Sequence, residues 1–152
     1  MKLTAKGEYG VRAMVVLALN YRAGPMPIKE IANKEGISPQ YLEQIFLELR
    51  RAELINSVRG ARGGYTLARD PSQINIGDIV RVLEGPIAPV NCVIEGSEEV
   101  CCKRTEDCLS RGVWEKLRDR ITEVLDDISL EDMISTRKIK NCSEEQQAES
   151  SK

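Results

Sequence analysis

Four of the five cysteines in this 152-residue sequence, Cys92, Cys101, Cys102 and Cys108, fall within one short stretch. Nine residues separate Cys92 from Cys102, and five separate Cys102 from Cys108. Thiolates gathered in this way can ligate a soft or borderline metal, as an iron–sulfur cluster or zinc, cycle between thiol and disulfide, or stay inert. The spacing lacks the doubled C-x-x-C of a zinc ribbon, and it does not choose among these chemistries. The sequence contains no histidine, so a histidine triad, imidazole acid–base catalysis and an imidazole zinc site are all excluded.

The elements that must position these thiols begin with a chain of ordinary domain size. Hydrophobic residues make up 41% and charged residues 30%, the balance of a globular protein with a core of its own. The longest apolar run, Ala13 to Leu19, is far too short to span a membrane. No cleavable leader is evident after Lys2 and Lys6, so a cytoplasmic location is expected. Net charge is −2, but it divides unevenly. Residues 1–70 carry 11 Lys/Arg against 7 Asp/Glu, whereas residues 71–152 carry 11 against 17. A basic first half suits an anionic partner.

Thr4 to Tyr21 has the spacing of a helix, with Val11, Met14, Val15, Ala18 and Leu19 on one face. Gly24-Pro25 breaks it, and a short helix follows over Ile28 to Lys34. Gly36 then occupies the position of a left-handed C-cap. Ser38-Pro39 opens a second helix as N-cap and first helical residue, and Leu42, Ile45, Phe46 and Leu49 form its apolar stripe. A short helix, a glycine turn and a longer helix make a helix-turn-helix candidate, though an ordinary helical hairpin has the same pattern. In the DNA-binding form, Ser38, Gln40, Tyr41, Glu43 and Gln44 would face the major groove.

The next segment favours that form. Leu54 to Val58 and Tyr65 to Leu67 read as two strands joined by a glycine-rich tip carrying Arg59 and Arg62. Helix-turn-helix plus basic hairpin is the winged-helix arrangement, in which the wing lays arginine on the backbone or in the minor groove. A nucleotide-binding loop is disfavoured, since the tip lacks the Gly-Lys-Ser/Thr ending.

Ile76 to Leu83 reads as a further helix that Gly85-Pro86 stops. From Pro86 to Gly112 no period survives, and a loop so long usually serves a function or a bound group. Val113 to Ile128 resumes an apolar repeat at Val113, Leu117, Ile121, Val124, Leu125 and Ile128, which would suit pairing with a symmetry mate. Ser129 to Asp132 could cap a last short helix. Four segments are therefore expected: a winged helix-turn-helix over 1–85, a cysteine loop over 86–112, a dimerisation helix and short C-terminal helix over 113–135, and a disordered tail over 136–152. The fold class is mainly α with a small β-hairpin wing.

Several pieces in one order resemble the Rrf2 family of bacterial winged-helix transcription regulators, and within it those that carry an iron–sulfur cluster. They are the opening Met1-Lys2-Leu3-Thr4-Ala5-Lys6-Gly7-Glu8-Tyr9, Gly36-Ile37-Ser38 through Gln44, the wing Ser57 to Gly60 with Gly63-Gly64-Tyr65, and the cysteine loop leading to Trp114. The resemblance runs from Met1 to about Ile134. It implies a homodimer, without enzymatic activity, that binds a palindromic double-stranded operator. It also implies a cluster, 2Fe–2S in preference to 4Fe–4S, on Cys92, Cys102 and Cys108, with Cys101 surplus. Ser38, Gln40, Tyr41, Glu43, Gln44, Arg59 and Arg62 match the family's DNA-facing surface.

One position departs from the pattern. Cluster regulators of this kind place a histidine three residues after the last cysteine, where this sequence has Arg111, which cannot ligate. Other members use a carboxylate near the start of the first helix, sometimes from the partner subunit, and Glu8 stands there. The competing reading of Glu8 is a solvated i, i+4 pair with Arg12. The rival readings of the whole are a metabolite-sensing family repressor without a cluster, a thiol-redox protein and a zinc-stabilised interaction module.

Overall fold

A computed structural model describes residues 2–96 and 107–136. Five long helices and one hairpin follow the expected order: α1 (Ala5–Leu19), α2 (Ile28–Glu35), α3 (Pro39–Arg51), β1 (Ile55–Val58), β2 (Gly64–Leu67), α4 (Ile76–Glu84) and α5 (Arg111–Asp127). Residues 130–136 form a further helical segment, α6. Short 3-10 turns lie at Pro71–Gln73 and Asn91–Val93. Among the described residues no helix is long and apolar enough to cross a membrane.

The local reasons are those visible in the sequence. Gly36 ends α2 at φ 64°, a left-handed conformation that only glycine adopts without cost. The Ser38 hydroxyl accepts from the Tyr41 amide at 3.2 Å, with Pro39 at the first helical position. Asn75 and Asp78 form a reciprocal capping box at the start of α4. The Ser129 hydroxyl and the Asp132 carboxylate do the same for α6, at 3.1 and 2.9 Å from each other's amides.

α1 is the central element, packing against α2, α3, α4 and β2. It buries a wider arc than one stripe: Ala13, Val16 and Leu17 join Met14 and Ala18, while Leu19 is 43% exposed. The other apolar stripes are buried as expected, with Leu42, Ile45, Phe46 and Leu49 inward on α3 and Ile76, Ile79, Val80 and Leu83 inward on α4. β1 and β2 pair antiparallel, with Ile55 opposite Leu67 and Val58 opposite Gly64. Tyr65 also exchanges backbone hydrogen bonds with Met26, at 2.9 and 3.1 Å, so the wing is sewn to the segment between α1 and α2.

α5 differs from the rest because it buries no residue completely. Ile121 and Leu125 rest against the core, whereas Val113, Leu117, Val124 and Ile128 stay exposed. Its C-terminal end is fixed by backbone bonds from Ile76 to Ile128 and from Leu130 to Ile74, both 2.9 Å, and by the fully buried Leu130. Arg81 of α4 grips Asp126 with a two-pronged ion pair at 2.7 and 2.8 Å.

Candidate nucleic-acid interface and cysteine centre

The first turns of α3 present Ser38, Gln40, Glu43 and Gln44 to solvent, with Tyr41 half-buried. The Tyr41 ring meets Tyr9 of α1 edge-on, centroids 6.1 Å apart, and Arg12 sits 5.5 Å above the Tyr9 ring. This leaves the polar side chains of α3 exposed on a helix whose opposite face is locked in the core. Arg59 and Arg62 are exposed at the wing tip. The wing is tied to α3 at two places the sequence did not advertise. Tyr65 packs on Phe46 with centroids 4.8 Å apart, and Arg50 donates to the Ser57 hydroxyl at 3.1 Å. Both partners are remote in pattern, and no local signal marks either pair.

Ion pairs occur in both halves of the molecule: Lys6, Arg12 and Lys34 hold Glu48, Glu35 and Glu30. Arg81, Arg111, Arg118 and Arg120 each hold a carboxylate. Among the described residues, Lys29, Arg51, Arg59, Arg62 and Arg69 make no ion pair. Cations left without carboxylates on α2, α3 and the wing can neutralise phosphates, which is the electrostatic requirement of a nucleic-acid face.

The two described thiols, Cys92 and Cys108, lie beside α5. Cys92 is half-buried in the turn Asn91–Val93, which packs on α5. Arg118 of α5 donates to the Val93 carbonyl at 2.8 Å. Cys108 precedes α5 by three residues, its carbonyl accepts from the Arg111 amide at 3.2 Å, and its sulfur lies 3.2 Å from the Ser110 hydroxyl. Cys101 and Cys102 lie outside the described residues. Among the described residues, no three candidate ligands converge on one point. Two thiols beside one helix are soft donors suited to iron or zinc.

Glu8 is exposed and does not pair with Arg12, which bonds Glu35 at 2.7 Å and its carbonyl at 3.0 Å. Arg12 bridges α1 to the end of α2 instead. Glu8 lines an apolar groove of about 430 Å³ with Leu3, Val11, Ile76, Val80, Ile121 and Leu125. Another carboxylate organises this end of α1. Glu84 accepts from the Thr4 amide at 3.0 Å, from the Thr4 hydroxyl, and from the Gly7 amide at 2.9 Å. A side chain at Gly7 would occupy the Glu84 carboxylate position, so the approach needs glycine. Burial opposes ionisation of Glu84 most strongly, but the bonds from Thr4 and Gly7 together with nearby Lys6 hold its carboxyl below the ordinary value.

A family model described as Rrf2, iron-dependent transcriptional regulator, matches residues 3–136. The chain belongs to the Rrf2 family. It is 38% identical over 139 residues to the HTH-type transcriptional regulator IscR of Escherichia coli O1:K1 / APEC, covering 91% of this chain and 83% of that protein. Two solved structures are similar at a TM-score of 0.74. T. potens IscR is 44% identical, with 90% of this chain and 88% of that one covered. CymR, described as the global cysteine regulator of B. subtilis, is 43% identical, with 90% and 98% covered. This Rrf2 protein is a winged-helix transcription regulator and not an enzyme.

Proposed function

We propose that this Rrf2 regulator is a homodimer that reads a palindromic operator and whose DNA affinity responds to an iron–sulfur cluster. The observation that carries the reading is α5: an amphipathic helix with Val113, Leu117, Val124 and Ile128 exposed and with Cys92 and Cys108 placed along its first half. An apolar stripe left uncovered on a helix that closes no core of its own suits a twofold partner. The winged helix over 1–85 is the DNA-binding unit, 86–112 the cluster loop and 113–135 the dimer segment; of the tail expected over 136–152, residues 137–152 lie outside the described residues.

In each half-site, Ser38, Gln40, Tyr41, Glu43 and Gln44 face base edges, and Arg59 and Arg62 contact the backbone or minor groove. The Glu43 carboxylate accepts from cytosine and repels phosphate, so it penalises wrong sequences. Half-sites one helical turn apart, about 34–36 Å, make affinity sensitive to a small rotation between protomers.

Cys92, Cys102 and Cys108 are the thiolate ligands, with Cys101 surplus. When bound, the cluster, 2Fe–2S by resemblance, supplies an oxidisable and releasable inorganic centre. Glu8 is the fourth ligand. Within one chain it lines the groove beside Ile121 and Leu125. Supply of that carboxylate by the partner protomer, as the resemblance implies for some members of the family, would make the site complete only in the dimer.

The test is selection of bound sequences from a random duplex pool by cluster-loaded and cluster-free protein, followed by affinity against salt. The reading expects a palindrome, a steep salt dependence and a different affinity for the two forms. A flat salt response with no enriched sequence refutes it. A second reading, a thiol- or metabolite-sensing repressor without a cluster, is favoured by the similarity to CymR. It expects a colourless protein with the same operator preference.

A further inference from the structure

Among the described residues, a single side chain ties the Cys92 turn, residues 90–96, to another element by hydrogen bond and ion pair. That side chain is Arg118. Its Nη1 donates to the Val93 carbonyl at 2.8 Å, while Nη2 lies 3.9 Å from Glu95. The guanidinium is aimed from the other side by Asp119, whose Oδ1 accepts from Nε at 2.9 Å and lies 2.8 Å from Nη2 in an ion pair. Only 18% of the Arg118 side chain is exposed, and Val93 itself is 1% exposed. A planar fork held by a carboxylate and spending its third edge on a carbonyl is a rigid clamp, which a lysine cannot reproduce.

The peptide so clamped adjoins Cys92. Fixing the Val93 carbonyl fixes the backbone from which the Cys92 thiol projects, against the same helix whose N-terminal end receives Cys108. We propose that Arg118 is a positioning residue for the cysteine centre: it holds the Cys92 turn on α5 so that Cys92 and Cys108 are presented by one rigid element. The geometry stands without any metal, but the consequence for a cluster rests on the function proposed above. Preorganised ligands release a metal more slowly than ligands on a free loop, because the loop entropy is already spent. The clamp also makes α5, the dimer helix, the element that feels the centre.

The full-length chain tests this in two ways. In reduced, metal-stripped protein, alkylation of Cys92 is followed by peptide mass spectrometry. Arg118→Met is expected to speed labelling of Cys92 about tenfold, the loss of one charge-assisted hydrogen bond, and to change Cys108 less than twofold. In protein reconstituted without oxygen, loss of visible absorbance to a chelator is expected to quicken about tenfold in Arg118→Met and by less in Arg118→Lys. Thermal unfolding within a few degrees of wild type certifies the fold. If Arg118→Met does not fold, Asp119→Asn, which frees the fork but keeps the cation, is expected to show the same two effects in smaller measure. Unchanged Cys92 labelling and unchanged cluster loss overturn the inference while leaving the cluster reading intact. A wild-type protein that takes up no cluster overturns that reading and the cluster role of Arg118 with it, and the labelling result then supports or refutes the clamp alone.

Discussion

Removal of the Glu84 carboxylate probes the junction on which the candidate site depends. Glu84 leaves α4 one residue before the break into the cysteine loop, and it satisfies the first turn of α1, the turn that carries Lys6 and Glu8. It accepts two backbone amides and one hydroxyl and brings negative charge to a helix N-terminus. A lost N-cap costs about 1 kcal/mol, and a carboxylate at a helix start adds about 0.3–1 kcal/mol at a half-exposed site. Glu84→Ala is therefore expected to cost about 1–2 kcal/mol, or roughly 3–6 °C in Tm for a chain of this size. The measurement is thermal unfolding by circular dichroism at one fixed protomer concentration, because the Tm of the proposed dimer would depend on it. The pH dependence gives a second check. The Glu84 carboxyl is held below its ordinary value of 4.5, so the stability it contributes is fully present above that value and is lost as pH falls through the lower folded one. The wild-type advantage over Glu84→Gln should thus be complete near neutral pH and shrink below pH 4.5. A Tm change within experimental scatter, or a difference from Glu84→Gln that grows on acidification, would refute the argument.

Arg59→Ala is expected to weaken operator binding and to reduce the slope of log affinity against log salt by about one unit per protomer, as read by fluorescence anisotropy across a salt series. Leu117→Glu places a charge in the exposed stripe of α5, 43% accessible in the single chain, and should convert a dimer to a monomer in analytical ultracentrifugation without unfolding it. Leu130→Ala empties a fully buried position that pins the end of α5. It should cost about 2–5 kcal/mol in denaturant unfolding, far more than truncation of the exposed Val124.

The winged helix was legible because its signals are local. Gly36, Ser38-Pro39 and the stripe from Leu42 to Leu49 each act within one or two turns, and the structure places all of them as the sequence predicts. The capping of α6 by Ser129 and Asp132 was legible for the same reason. The width of the buried arc on α1 was not, because a helix surrounded by α2, α3, α4 and β2 loses the one-sided pattern by which faces are recognised. Leu130 went unnoticed as a core residue because its burial comes from backbone pairing with Ile74, distant in sequence. Arg12 pairs with Glu35 across two elements, so the i, i+4 rule pointed to the wrong carboxylate. Arg118 and Glu84 were invisible for a related reason: each acts on a backbone carbonyl or amide, and no sequence pattern shows which backbone group a charged side chain will meet. The cysteine spacing was visible from the start, yet Cys92 and Cys108 are joined to a common helix only by the fold.

The most direct test of the central claim is the visible spectrum of the wild-type protein purified without oxygen, with iron and acid-labile sulfide counted. The account predicts charge-transfer absorption with iron and sulfide in equal amounts, about two of each per protomer for a 2Fe–2S centre. A colourless protein that cannot be reconstituted with iron and sulfide would contradict it, leaving a winged-helix regulator whose cysteines serve zinc or thiol chemistry.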